Sequence, residues 1–493
     1  MADTVSLSPE ALEILNSSDQ FTRSQEFLQE MAKRNTQRDT WYRTYEDYYT
    51  SENQRVLLTD RLRRFLNRSG FMWCENFCEV VVDVLCERLI MDQFSSEDAT
   101  VQDWLDEIWK STRMLELQSI VHTNTVMKGD GYVIVDMDSA TGKPRIHYNR
   151  PEIIKPIYDS EDSENLLFAA KTWKSQLETP TNPNMYPVVR MNLYWPNQVE
   201  KWFNAASDGS AEWAKHLDPG DTVWPIPWED QYGEPLGVPV FHFKNKSKGK
   251  TWGVSEIRGT IPQQDSLNKL LVDLTMVLDS HGAAQRYGTG IKQEEKTQLS
   301  GNPGTLWTVV NPEARFGQFD AINPEGLLAS IEAQLQRIAG RSRTPLFLLV
   351  LSGDAPSGES LKTAETGLVA KSKDRAAPLG NKWEDVFVMC AKIAQISGDL
   401  DSSIEIDSDL IDSHWRDPES RNVLEESSAL ATRVTQLGLS KHTALQELGY
   451  DPEEEAEYKD EETTRAVANF NAGLPTVPVV PTDTEGDDSS TEQ

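Results

Sequence analysis

The chain has 493 residues, with 79 acids against 48 bases and a net charge of −31, a length for about two to four domains. Such an acidic surface repels phosphates and excludes a tight, sequence-reading hold on nucleic acid. Four cysteines, no leader-like N-terminus in Met1-Ala-Asp-Thr-Val, and no apolar run long enough to cross a bilayer suggest a soluble protein of a reducing cytoplasm.

Residues 1–50 are polar and helix-permissive, with an aromatic cluster at Trp41, Tyr42, Tyr45, Tyr48 and Tyr49. The segment 71–92 predicts an amphipathic helix, because Phe77, Val81, Val84, Leu85 and Leu89 recur near a 3.6 period. A second helix is expected over Val101–Thr125. Residues 126–245 change period and predict strands: "GYVIVDMDSATGKPRIHYN" as a strand pair, then "AAKTWK", "VVRMNLYWPNQVEKWF" and "VPVFHFKN". A long helix follows from about Ser255 to Ser280, with Pro262 near its start. Two strand-like pieces, "TLWTVV" and "ARFGQF", lie in 285–323. "NPEGLLASIEAQLQRIAGRS" returns as a helix with Pro324 in its first turn. The result is a long helical hairpin with a strand-bearing tip. An apolar run, Pro345–Leu351, leads to a loop and a third long helix from about Glu359 to Ile396. "SSIEID" reads as a strand near 402–407, and helices are expected from Pro418 to Leu437 and from Ser440 to Gly449. Residues 451–493 carry 13 acids and 2 bases and read as disordered. They account for a net −11 of the chain's −31, so the rest is acidic too.

The loop Gly353-Asp-Ala-Pro-Ser-Gly358-Glu359-Ser360 has phosphate-loop spacing, with Glu359 where the lysine belongs. A carboxylate there removes the electrostatic basis of phosphate binding, so a helix-capping loop is the expected role. Lys128-Gly129-Asp130-Gly131 lacks the third glycine and the following helix of a dinucleotide site and reads as a turn. Cys74 and Cys78 share a helix face without further zinc-type spacing and read as buried small side chains. The seven histidines are scattered, and Asp407, Asp409 and Asp412 lack the glycine of a calcium loop. The 14 tryptophans point to packing or subunit interfaces rather than base stacking. No catalytic residue, metal site or cofactor is expected.

The order of these parts resembles the portal, or head-to-tail connector, proteins of tailed bacteriophages. "NFCEVVVDVLCERLIMDQF" is similar to that family's early helix through Asn76, Val82, Asp83, Arg88 and Leu89. "KGDGYVIVDMDSATGKPRIHYNRPEIIKPIYD" resembles its strand pair. "WGVSEIRGTIPQQDSLNKLLVD" resembles its G-x-S-E-I start through Gly253, Ser255, Glu256 and Ile257, followed by Gln264, Asp265 and Asn268. "SRTPLFLLVLSGDAPSGESLKTAETGLVAKSKDR" resembles its proline, Ser-Gly and basic-helix segment. The likeness spans roughly residues 40–450, in the family's order.

The resemblance implies an α+β portal-type fold that forms a ring. Residues 1–254 would be N-terminal helices and an α/β wing, 255–284 and 324–343 the two helices of a stem, and 285–323 a clip. Residues 344–362 would be a tunnel loop, 363–415 a wing helix and returning strand, 416–470 a helical crown, and 471–493 an acidic tail. The implied tunnel-loop residues lining the DNA channel are Ser352, Gly353, Asp354, Pro356, Ser357 and Gly358. Candidate DNA-facing bases are Lys269, Arg337, Arg341 and Arg343, each of which also reads as an ordinary solvated or paired helix residue. Clip residues for motor or adaptor contact are Arg286, Lys292, Lys296, Trp307 and Arg315. Implied partners are a homo-oligomeric ring of about twelve copies, double-stranded DNA, the terminase large subunit, a head–tail adaptor, and the major capsid and scaffold proteins, with no membrane. The implied place is the capsid portal vertex of the virion, reached from the host cytoplasm during assembly. Two other classes compete: a nucleotide-binding protein with a degenerate phosphate loop, and a monomeric intracellular scaffold with a docking arm.

Overall fold

The computed structural model describes residues 23–33, 35–52, 75–138, 141–179, 182–206, 208–218, 220–282, 286–291, 311–318, 324–350, 358–407, 409–419, 432 and 434. By backbone proximity the chain divides into Met1–Pro418 and Glu419–Gln493. Every element below lies in the first unit, and the crown and acidic-tail segments fall almost wholly outside the described residues.

Helices α1 (Gln25–Ala32) and α2 (Thr36–Tyr49) begin where Ser24 and Asn35 accept backbone N–H groups with their side chains. Helix α3 (Phe77–Cys86) is capped by Asn76, whose side-chain oxygen accepts from the N–H of Cys78 and Glu79. It ends earlier than the apolar period predicts, because residues 91–95 are a strand, β1 (Met91–Ser95). The expected single helix over 101–125 is two, α4 (Ala99–Ser111) and α5 (Met114–Lys128), broken where Arg113 adopts a left-handed conformation with φ 51°.

The strands follow in two sheets. β2 (Asp130–Met137) and β3 (Pro144–Asn149) form the expected antiparallel pair. Next come β4 (Ile154–Tyr158), β5 (Leu166–Thr179), β6 (Asn182–Tyr194), β7 (Gln198–Asn204), β8 (Trp213–Lys215), β9 (Ile226–Pro227) and β10 (Val240–Lys244). β10 returns to β2, giving a three-stranded sheet in the order β10-β2-β3. The others form a six-stranded sheet, β4-β5-β6-β7-β8, with β9 on β7. Leu28 and Met31 of α1 close a core over this second sheet with Phe168, Met191, Leu193, Trp202 and Trp213. Buried Trp202 and Trp213 therefore pack.

Then come α6 (Ile261–Gly282), the short strands β11 (Arg286–Thr289) and β12 (Arg315–Gln318), α7 (Glu325–Ser342), a single helical turn α8 (Leu346–Leu349), α9 (Gly358–Ser397) and β13 (Asp412–Trp415). The apolar run before the loop holds a single helical turn at Leu346–Leu349. At 40 residues, α9 spans roughly 60 Å. It buries Trp383, Val386, Phe387, Cys390 and Ile393 in the main core, with α3, α5 and β2. The expected strand over 402–407 is absent, and the returning strand is β13, paired with β1 through Phe94↔Ser413 and Ser95↔Asp412. Alternation in "SSIEID" marks partial burial, with Ile404 and Ile406 packed against the core edge.

Candidate functional site

Helices α6 and α7 pack on each other as the two legs of a hairpin, with β11 and β12 beyond their ends. Near the base the legs are buried through Leu267, Leu271 and Val272 on α6 and Ile338, Ala339 and Ser342 on α7. Farther out the apolar side chains face solvent: Leu278 is 54% exposed and Leu328 51%. β11 and β12 pair antiparallel with Tyr287 opposite Gly317 and Thr289 opposite Arg315. Tyr287 and Phe316 are also exposed there.

At the base, one buried carboxylate gathers three cations. Glu256 accepts from Arg375 Nε at 3.1 Å and Lys246 Nζ at 2.5 Å, and Lys371 Nζ stands 3.3 Å away. Lys371 also donates to the carbonyl of Ser342 at 2.8 Å, in the last turn of α7. Burial alone would raise the Glu256 carboxyl, but Lys371, Lys246 and Arg375 outweigh it and hold it at about 2. The Glu256 N–H donates to the Val126 carbonyl of α5 at 3.0 Å, so its backbone is tied down as well.

A second cluster fixes the segment leading into the hairpin. Asp130, at the start of β2, is fully buried. One of its carboxylate oxygens accepts from His242 Nε2 at 2.9 Å and the Gly253 N–H at 2.7 Å. The other accepts from the Tyr42 hydroxyl at 2.7 Å and from Arg38. Burial would raise its pKa, yet His242 and Arg38 turn the balance and hold it below the usual carboxylate range. Next to it, the Lys128 ammonium is buried between Glu46 at 3.0 Å and Glu152 at 2.5 Å. "KGDG" is therefore a helix-to-strand turn, as its spacing suggested, and also a polar hub, which its spacing did not reveal. Partners of Asp130 lie 88 to 123 residues away. The local signal was two unlike charges flanking a glycine before the apolar run Tyr132–Val135.

The sequence-predicted residues fall in separate places. Ser352, Gly353, Asp354, Pro356 and Ser357 lie outside the described residues, as do Lys292, Lys296 and Trp307. Gly358 is the first residue of α9, and Glu359 lies in that helix's first turn. Lys269 is exposed on α6 and pairs with Asp273 at 2.7 Å. Arg337 is exposed on α7. The Arg341 guanidinium lies over Gly259, where a Cβ would stand 2.5 Å from its Nε. Arg343 follows α7 in a left-handed conformation, φ 56°. Arg286 and Arg315 are brought onto one small sheet at the tip, opposite Gln318 and Thr289 respectively. The arginines at 341 and 343 are at the other end of the hairpin. Cys78 is buried, and Cys74 lies outside the described residues. Among the described residues no helix is long and apolar enough to cross a membrane, and no group of three or more His, Cys, Asp or Glu is placed to hold a metal ion.

Residues 28–468 match the family described as phage portal protein, SPP1 Gp6-like. The chain belongs to that family. Its function is that of a phage portal. The portal protein of Mycobacterium phage D29 is 22% identical over 427 residues, and that of Mycobacterium phage L5 is 25% identical over 433. Each alignment covers 81% of both chains. Among solved structures, the neck of an empty GTA particle computed with C6 symmetry matches with a TM-score of 0.45 at 12% identity, over 81% of this chain and 95% of that one. The neck of a native GTA particle computed with C12 symmetry matches with a TM-score of 0.44, also at 12% identity, over 82% and 98%.

Proposed function

We propose that this portal protein forms a ring of about twelve copies at one capsid vertex, through which double-stranded DNA enters during packaging and leaves during ejection. In this reading α6 and α7 are the stem, β11 and β12 belong to the clip, and the segment between α8 and α9 is the tunnel loop. The wing is the pair of sheets with α9. The clip receives the terminase motor and later the head–tail adaptor, and ATP hydrolysis belongs to the motor. Of the bases, Arg337 and Lys269 are stem residues for the channel or for a neighbouring stem, whereas Arg341 is held at the hairpin base. Arg286 and Arg315 are candidate clip contacts.

The observation that carries this reading is the outer half of the hairpin. Leu278 and Leu328 are more than half exposed on helices that belong to one two-helix unit, and neighbouring copies of the same hairpin would cover them. The acidic chain fits passage of DNA without adhesion, since a basic channel would hold phosphates by counterion release.

Native mass spectrometry with negative-stain microscopy of the purified chain tests it. Twelve copies of 55.6 kDa make rings of about 670 kDa with a central hole. A chain that stays at 55.6 kDa at every salt and concentration, and with capsid partners present, removes the ring.

A further inference from the structure

Lys371 and Arg375 are one turn apart on α9 and face the same carboxylate. Glu256 stands five residues before α6, at the foot of the outgoing leg. Ser342, whose carbonyl takes Lys371, is the last residue of the returning leg. Both legs of the hairpin therefore end on a single turn of the long helix. Lys246 also faces Glu256, exposed Asp374 faces Arg375, and Arg343 is near enough to repel Lys246. The Asn245 amide also donates to Glu256, at 3.4 Å. A buried cluster of this kind is costly to break by removing one partner, because the other charges stay buried without compensation. It also favours one relative arrangement of the groups that it joins.

We propose that Glu256 is the positioning residue of the hairpin: with Lys371 and Arg375 it makes one turn of α9 the joint that sets both legs against the wing. The two legs then respond together to any displacement of α9, and α9 to any displacement of the hairpin. This joint acts within one chain, so its test is separate from that of the ring.

Amide hydrogen exchange of the full-length protein reads it directly. In Glu256→Gln, amides 263–267 and 338–344 should exchange faster together, on the order of a hundredfold, while those of α5 and β2 keep their wild-type rates. Glu256→Asp, which restores the charge on a shorter arm, should recover most of the protection. Lys371→Gln keeps a donor for Ser342 but drops the charge, and should loosen the foot of α6 as well as the end of α7. It also supplies the reading if Glu256→Gln does not fold. Unchanged exchange at both feet, loosening of one leg alone, or uniform acceleration across the chain would each overturn the proposal.

Discussion

Gly253 lies on Gly129, backbone against backbone: a Cβ at 253 would stand 1.9 Å from the Gly129 carbonyl oxygen. In the reverse direction, a Cβ at 129 would stand 2.8 Å from the Ser255 nitrogen, and Gly129 has φ +96° besides. Both obstacles are backbone, which cannot rotate away. Gly253→Ala should therefore cost about 3 kcal/mol or more, seen as a lower urea midpoint. Gly340→Ala, in open space inside α7, should instead stabilise the isolated chain by about 0.5–1 kcal/mol. Equal effects at the two positions would sink this account.

Asp130→Asn removes the negative charge but keeps the shape. Arg38 loses its carboxylate, and the amide nitrogen must displace one of the donors now shared by His242, Gly253, Tyr42 and Arg38. The expected loss is about 3–5 kcal/mol. Tyr42→Phe, which removes one donor and leaves the charges, should cost about 1–2 kcal/mol. Chemical denaturation of both variants checks the order.

His122 sets an acid limit. It is wholly buried, bonded through Nδ1 to the Leu89 carbonyl and through Nε2 to the Trp383 indole N–H at 2.9 Å. The indole can only donate, so Nε2 is unprotonated and Nδ1 carries the hydrogen. Burial lowers its pKa to about 4. The unfolded chain takes up this proton near pH 6.5 and the native state does not, so stability is full above that pH and falls on acidification toward pH 4. The loss is roughly 3 kcal/mol over that window. Below it, the depressed carboxyl of Glu256 adds a further loss as pH falls from about 4.5 toward 2. Urea midpoints measured from pH 7 to pH 4 should slope downward, and His122→Gln should flatten the slope at a lower baseline. A variant with the wild-type slope would assign the acid sensitivity elsewhere.

Leu278→Asp and Leu328→Asp place charges on the exposed outer half of the hairpin. In the isolated chain each should change stability by no more than about 0.5 kcal/mol. In the ring each would bury an unpaired carboxylate between neighbours, so rings should be lost from negative-stain fields while the monomer keeps its melting temperature. Rings that survive both substitutions would place the subunit contact elsewhere.

Much of this protein was legible from local sequence. Helix α9 was expected from Glu359 to Ile396 and runs Gly358–Ser397, because its apolar period is set by the one face it buries. Strands β2 and β3 were legible for a similar reason: a turn at Thr141-Gly142-Lys143 joins two strand-like runs. Four ordered motifs were enough to suggest the family. What failed was non-local. Helix α3 was drawn too long because the partner of β1 lies more than 300 residues away. The break at Arg113 carries no glycine or proline and is imposed by how α4 and α5 pack on different neighbours. β12 was visible as "ARFGQF", but its partner is Arg286–Thr289, a stretch with two small or flexible residues and little apolar pattern.

By itself, then, the sequence determined the long helices, the β2–β3 pair, the hairpin, the acidity and the family, since these rest on local periodicity, composition and motif order. Only the tertiary structure decided which charges meet. Asp130 looked like part of a turn and Glu256 like one letter of a motif. Each became a hub when folding brought cations from distant segments to a buried carboxylate. Burial without those partners would have cost several kcal/mol, and which partners arrive is a property of the assembled fold.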